Sequence, residues 1–116
     1  MSEREAVFEA LRALMLHHSD GLDIRRDQPG DLVVRTRQPD AKGQPGWFGT
    51  VTARKSYVAF HLPPLYDHPA LAEALSDELE RRRQGKTCFN FKALEPAVLD
   101  ELAALTERVR AAVDGA

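Results

Sequence analysis

Hydrophobic residues recur at helical spacing at both ends of this chain. Near the N-terminus they lie three and four positions apart, and Ser2 followed by Glu5 is the pattern of a capping box at a helix start. Near the C-terminus, Pro96 suits the first turn of a helix. We therefore expect a helix at each end, with one apolar face. The predicted apolar faces are Val7, Phe8, Leu11, Leu14 and Met15, and Val98, Leu102, Leu105, Val109 and Val113.

Between these helices, apolar and polar residues alternate with the period of β-strands. The alternation predicts five strands, at residues 22–27, 31–37, 47–54, 57–62 and 87–91. The first two strands form a hairpin, in which a three-residue loop with a left-handed Gly30 places the apolar residues on one face. In that register Ile24 lies opposite Val34. Arg26 then lies opposite Leu32.

The third and fourth strands form a second hairpin, with Lys55 and Ser56 as its loop. This loop places Val51 beside Phe60 on an apolar face, so polar residues occupy the opposite face. Between the hairpins, residues 37–46 contain two prolines and two glycines without apolar periodicity. We expect these residues to form an exposed, mobile connection.

Residues 63–86 link the fourth strand to the fifth and carry helical signals. Pro69 suits the first turn of a helix, whereas Ser76 followed by acidic residues is the pattern of a second helix start. Residues 69–83 therefore form either one bent helix or two. Gly85 is placed to end the helical segment.

This order of elements predicts an α+β fold, in which a largely antiparallel five-stranded sheet is packed by N- and C-terminal helices. The 116 residues are a usual length for one domain, so we expect a single domain over residues 1–116. Hydrophobic residues make up 43% of the chain and charged residues 29%, which is typical of ordinary globular proteins.

Composition also limits the partners and the location. A net charge of −2 provides no general attraction to nucleic acid, so we expect no nucleic-acid partner. No apolar run is long enough to cross a bilayer, and the N-terminus lacks the basic start and apolar centre of a signal peptide. We therefore expect a cytoplasmic protein that does not associate with membranes.

The face of the sheet that points away from the predicted core carries the leading candidate site. It combines aromatic, imidazole, amide and cationic groups, which can hold a small or anionic ligand or pair with a partner chain. The alternative is an ordinary polar outer face of an antiparallel sheet. The predicted ligand-binding residues are Arg35, Tyr57, His61, Asn90 and Lys92. The same face is predicted to carry Arg25, Phe48, Thr50, Thr52 and Cys88.

Two other kinds of site can be drawn from the sequence. Surface carboxylates can hold hard cations through water, and the candidate metal ligands are Glu5, Glu9, Asp77 and Glu78. Cys88 and His61 can be drawn as a nucleophilic pair. A lone cysteine usually packs as a small apolar residue, however, and no oxyanion hole is visible. The sequence therefore favours binding over catalysis, without a required cofactor.

Three sequence segments also suggest a family. WFGTV at residues 47–51, KSYVAFHL at 55–62 and above all QGKTCFNFK at 84–92 resemble the YdhG-like domain of unknown function of small bacterial proteins. The resemblance covers about residues 45–113. It implies a single α+β domain, and because at least one relative is regarded as a frataxin-like iron chaperone, it implies iron handling as an alternative. We expect a bacterial binding protein first, an iron chaperone second and a cysteine-dependent enzyme third.

Overall fold

Six strands form one antiparallel sheet in the computed structural model, which describes residues 2–39, 43 and 45–115. The strand order is β1-β2-β3-β4-β6-β5. Two short 3-10 helices, Pro63–Tyr66 and Pro69–Ala72, follow β4. The strands and α-helices are α1 Glu3–His17, β1 Asp23–Gln28, β2 Asp31–Pro39, β3 Pro45–Ala53, β4 Val58–His61, α2 Asp77–Glu80, β5 Arg83–Gln84, β6 Cys88–Phe91 and α3 Pro96–Asp114.

The terminal helices pack against one face of this sheet, which confirms the predicted α+β fold. Their apolar faces join the inward residues of the strands in a single hydrophobic cluster. Leu11 of α1, Phe60 of β4 and Leu102 of α3 are among its fully buried members. None of the helices in the described part of the chain is long and apolar enough to span a membrane.

The N-terminal helix begins as its sequence predicts. The Ser2 hydroxyl accepts a hydrogen bond from the Glu5 backbone N–H at 3.1 Å and donates one to the Glu5 carboxylate at 3.2 Å. The Ser2 cap satisfies a backbone donor that the first turn leaves free, while the Glu5 carboxylate contacts the Ser2 hydroxyl instead of completing the reciprocal bond of a capping box. Further along α1, Arg12 forms two hydrogen bonds to the Asp27 carboxylate, at 2.8 and 2.6 Å. The Arg12–Asp27 ion pair therefore joins α1 to the edge strand β1.

The β1–β2 hairpin contains an irregularity that the sequence does not predict. Ile24 pairs with Val34, as expected, but Arg26 pairs with Val33 instead of the predicted Leu32. The register shifts between Ile24 and Arg26, which places a β-bulge in β1. A bulge inserts one unpaired residue, so every pair between it and the turn moves by one position.

The turn of this hairpin explains the shift. Gln28 pairs with Asp31, so the loop contains two residues, Pro29 and Gly30, instead of the predicted three. Gly30 is left-handed, with φ of +79°, as predicted. Proline followed by a left-handed glycine is the pattern of a type II turn. The shorter loop and the bulge offset each other, so the apolar pairing farther from the turn is preserved.

The β3–β4 hairpin follows the predicted register. Val51 pairs with Phe60, and Ala53 pairs with Val58. Three of these four side chains are buried, which places the apolar face of the hairpin in the core. The polar residues that alternate with them point to the opposite face, because successive side chains of a strand alternate.

A second bulge lies within β3, between Trp47 and Gly49, and corrects the predicted position of Phe48. Gly49 pairs with Val34, whereas Trp47 pairs with Arg35. Two steps along β3 therefore match one step along β2, and Phe48 is the extra residue. Phe48 is fully buried in the hydrophobic core, so its predicted place on the outer face of the sheet is wrong.

The segment before the last strand accounts for the sixth strand. The short α2 ends at Glu80, and Arg83–Gln84 pair with β6, although the sequence predicts helix up to residue 83. Gly85, with φ of +65°, belongs to the turn between β5 and β6 instead of ending a helix. Residues 69–83 therefore contain two separate helices, Pro69–Ala72 and Asp77–Glu80, which is the second of the two expected arrangements.

The strands β2 and β3 also extend into the predicted connection at residues 37–46. Pro39 of β2 pairs with Pro45 of β3, so both strands are longer than expected. The prediction that this connection is mobile concerns mainly residues 40–42 and 44, which lie outside the described residues.

Candidate functional site: a cationic cleft at the sheet edge

The alternation of β4 and β6 brings three of the predicted ligand-binding residues together. Val58 pairs with Phe91, and both side chains are buried in the core. Asn90 and Lys92 flank Phe91, and Tyr57 precedes Val58, so these three point away from the core. They form the strand side of a surface cleft.

The other side of the cleft comes from α2 and from the residues that lead into β5. The cleft has a volume of about 470 Å³, which lies within the usual range of small-molecule sites. Its lining contains three cationic side chains, one carboxylate, two amides and one phenol. The lining residues are Tyr57, Glu78, Arg81, Arg82, Gln84, Asn90 and Lys92.

Contacts with α3 fix the position of α2. Ser76 caps α2, since its hydroxyl accepts a hydrogen bond from the Leu79 N–H at 3.2 Å. The Glu101 carboxylate of α3 accepts hydrogen bonds from the Ser76 hydroxyl and from the Ser76 N–H, the latter at 2.7 Å. Leu79 is fully buried. The helical wall of the cleft is therefore attached to the core both by an apolar side chain and by a polar contact.

Arg82 is the most constrained cation of the cleft. Its side chain is 19% exposed and forms an ion pair with Glu95. One guanidinium nitrogen donates to the Glu78 backbone carbonyl at 2.5 Å, and the group lies 5.8 Å from the centre of the Phe91 ring. The Arg82 carbonyl in turn accepts a hydrogen bond from the Asn90 N–H at 2.8 Å. These contacts hold Arg82 in one place.

The other two cations of the cleft, Arg81 and Lys92, are less constrained than Arg82. Arg81 and Glu78 form an exposed ion pair one helical turn apart, with 68% and 56% of their side chains exposed. A second oxygen of Glu78 lies 3.9 Å from a guanidinium nitrogen of Arg82. Lys92 is exposed and has no ion-pair partner in the described part of the chain. The lining therefore carries an excess of positive charge, although the whole chain is slightly acidic.

The remaining two predicted ligand-binding residues, Arg35 and His61, lie outside this cleft. The Arg35 guanidinium stacks 4.1 Å above the centre of the Trp47 ring on the neighbouring strand β3. Among the described residues no group accepts a hydrogen bond from the buried Arg35 Nε. His61 Nε2 lies 2.8 Å from the Thr87 hydroxyl, and burial lowers the pKa of His61. The structure therefore divides the five predicted residues into a group of three and two separate positions.

The local environment of Cys88 disfavours a nucleophilic role. Burial raises the pKa of Cys88, whereas an activated cysteine needs a lowered pKa. The thiol contacts the Asn90 side-chain oxygen at 3.7 Å. His61 is its cross-strand neighbour, but the imidazole is hydrogen-bonded to Thr87. The geometry therefore lacks the hydrogen bond between base and nucleophile that such catalysis uses.

The predicted metal ligands fall on two separate helices. Glu5 contacts the Ser2 hydroxyl, and Glu9 lies 3.9 Å from Arg12 on α1. Asp77 and Glu78 belong to the first turn of α2, far along the sequence. Within residues 2–39, 43 and 45–115, no three histidine, cysteine or acidic side chains come together in a group able to hold a metal ion.

The sequence reading missed Arg81, Arg82 and Gln84, and it assigned Glu78 to a metal site. No local signal marks them, because three consecutive arginines after acidic residues are typical of a helix C-terminus. In the structure Gln84 pairs with Cys88 instead, and the Asn90 N–H donates to the Arg82 carbonyl.

The fold and the cleft together define a small α+β protein with a cation-rich cleft at one edge of an antiparallel sheet. Comparisons of the chain with protein-family models, with curated proteins and with solved structures found no match. The resemblance to the YdhG-like family therefore stays a prediction.

Proposed function

We propose that this protein binds a small anionic molecule in the cleft at the edge of its sheet. The observation that carries the proposal is the convergence of Tyr57, Asn90 and Lys92 with Arg81 and Arg82 in one open cleft. Sequence alternation alone predicts the three strand residues, and the two arginines add positive charge to that of Lys92. Binding of a metabolite is the function class that such a cleft supports best.

The charges of the cleft favour an anion. Lys92 has no ion-pair partner in the described structure, so its ammonium group is available to a ligand. The Arg82 guanidinium is already positioned, which lowers the entropy that binding must remove. Arginine also matches the geometry of carboxylates and phosphates, because its planar group donates two parallel hydrogen bonds.

The uncharged lining residues would orient a ligand in the cleft. Asn90 and Gln84 each carry an amide that can donate and accept hydrogen bonds, and Tyr57 offers both a ring and a hydroxyl group. An aromatic side chain of this kind favours a ligand with a planar or apolar part. The proposed ligand therefore combines an anionic group with a body that contacts Tyr57.

Titration of the isotope-labelled protein with inorganic phosphate and with a set of anionic metabolites tests this proposal. We expect amide NMR shifts concentrated at Gln84, Asn90 and Lys92, and we expect high salt to reduce them. Lys92→Ala should weaken binding by about threefold to tenfold, the effect of losing one hydrogen bond of ordinary net strength at a solvent-exposed site. Lys55→Ala is the matched control, because Lys55 is an exposed lysine in the β3–β4 loop that does not line the cleft.

Two results would contradict the proposal. Shifts spread over the surface without saturation would mean that the cleft binds no anion. Equal effects of Lys92→Ala and Lys55→Ala would mean that Lys92 contributes only general charge.

The two alternatives from the sequence stay predictions, as does the cytoplasmic location. For iron handling through Glu5, Glu9, Asp77 and Glu78, the charges near Glu78 are unfavourable. Its carboxylate contacts two guanidinium groups, whose positive charge opposes the approach of a cation. We therefore retain anion binding as the proposed function.

A further inference from the structure

One carboxylate lies among the cations of the proposed binding cleft. Of the described residues that line it, Glu78 alone is acidic, and its oxygens lie beside Arg81 and, at 3.9 Å, Arg82. A carboxylate in this position makes the same contact with a guanidinium group that an anionic ligand would make.

The contact is weak enough to be exchanged. Arg81 and Glu78 are both more than half exposed, and ion pairs of this kind contribute at most about 1 kcal/mol to stability. Arg82, by contrast, is held by Glu95 and by a backbone carbonyl, so it does not need Glu78 to stay in place. Glu78 can therefore rotate into solvent without disrupting the wall of the cleft.

We propose that Glu78 is an internal competitor, which occupies Arg81 while the cleft is empty, and that the cleft selects dianionic ligands. One negative charge of the ligand pairs with the free Lys92. The second charge replaces the Glu78 carboxylate at Arg81. This inference rests on the proposed anion binding and specifies its ligand class, the small molecules that carry a phosphate monoester or two carboxylates.

The charge requirement follows from exchange at Arg81. A monoanion that pairs with Lys92 has no second charge with which to displace Glu78, so Arg81 contributes little to its binding. A dianion satisfies both cations at once and leaves the displaced carboxylate in water, where it is well solvated. The preference is therefore set by the pairing of Arg81 with Glu78.

Binding of methyl phosphate and dimethyl phosphate to the full chain tests the proposal. At about pH 8 the monoester is a dianion, because its second pKa is about 6, whereas the diester keeps a single charge. Wild type should bind the monoester more tightly. Glu78→Gln should tighten monoester binding by about twofold to fivefold, the factor that corresponds to an exposed ion pair. Succinate and butyrate provide the same comparison for carboxylates.

Two further variants complete the design. Glu80→Gln removes the same charge from the same helix, but Glu80 pairs with Arg83 and does not line the cleft. It should change affinity by less than Glu78→Gln. Arg81→Gln removes the second cation, so it should reduce affinity for methyl phosphate to that for dimethyl phosphate.

The outcomes separate this inference from the proposed function. If wild type binds methyl phosphate at Asn90 and Lys92, but Glu78→Gln binds no more tightly than Glu80→Gln, Glu78 is not a competitor and anion binding stands. Equal binding of monoester and diester by wild type would also overturn the inference. If neither wild type nor Glu78→Gln shows saturable shifts at the cleft, the proposed function itself fails. A well-dispersed amide spectrum of each variant verifies that it is folded.

Discussion

A methyl group added at Gly49 should destabilise the protein, because β3 approaches α1 closely at this point. A Cβ atom at Gly49 would lie 2.4 Å from the Met15 Cε atom and 2.9 Å from its sulfur. It would also lie 3.0 Å from the backbone oxygen of His61 on β4. Met15 is fully buried, so its side chain has neighbours on every side. Gly49→Ala therefore adds volume where the core has none free.

The expected magnitude follows from two opposing effects. Alanine is ordinarily favoured over glycine in a strand by about 0.5–1 kcal/mol. Insertion of an extra carbon into a packed core costs about 1–3 kcal/mol. The flexible end of Met15 can move, but the His61 carbonyl belongs to paired backbone and can move little. We expect a net loss of about 1–2 kcal/mol in the free energy of unfolding, since the steric cost exceeds the gain.

A double-mutant cycle in urea isolates the contact. Met15→Ala removes the clashing atoms and should cost about 2–5 kcal/mol by itself. In that background Gly49→Ala should cost at least about 1 kcal/mol less than in wild type, since adjacent residues are not additive. Leu11→Ala is the control, because Leu11 is also buried on α1 but is not among the nearest neighbours of a Gly49 Cβ. Equal costs of Gly49→Ala in the two backgrounds would refute the steric reasoning.

Three other predictions concern ionisable groups. The hydrogen bond from Arg12 lowers the pKa of Asp27, so this contribution to stability is present above about pH 3.8 and is lost on further acidification. Asp27→Asn should lower the free energy of unfolding by less than about 1 kcal/mol at neutral pH and flatten this acid dependence in urea melts, because the pair is one-third exposed. Burial lowers the pKa of His61, so the folded state disfavours its protonation, and stability should fall as the pH drops below about 6.5. His61→Gln should reduce that slope below about pH 6.5, and part of the slope that remains should come from His18, whose pKa burial also lowers. Burial raises the pKa of Cys88, so native protein should react with iodoacetamide more slowly than urea-denatured protein at about pH 8.5, and faster native reaction would contradict this.

Much of the fold could be predicted from the sequence because its signals are local. The register of the β3–β4 hairpin follows from a tight loop and from alternation that places Val51 and Phe60 on the same face. The bulges between Ile24 and Arg26 and at Phe48 could not be predicted in this way. A bulge changes the face of a residue through the pairing of two strands, and alternation along one strand contains no information on that pairing. Phe48 was therefore assigned to the wrong face.

The same difference between local signals and strand pairing decides which residues of the candidate site could be predicted. Tyr57, Asn90 and Lys92 could be selected because each lies next to a strand residue that is clearly apolar. Arg81 and Arg82 could not, since their place in the cleft depends on a helix that ends early and on a two-residue strand that exists only through its pairing with β6. Three consecutive arginines after acidic residues are the usual pattern of a helix C-terminus, which favours a longer helix.

The arrangement of the cations gives the cleft both a fixed and an adjustable part. Arg82 is attached to α2, to Glu95 and to the backbone of β6, so the proposed ligand would meet it already oriented. Arg81 and Lys92 extend from opposite walls and are held by little or nothing, so they can adapt to the length of the ligand. A fixed cation favours one orientation of an anion, and two adjustable cations tolerate dianions that differ in size. The cleft should therefore discriminate ligands by their charge more strongly than by their shape.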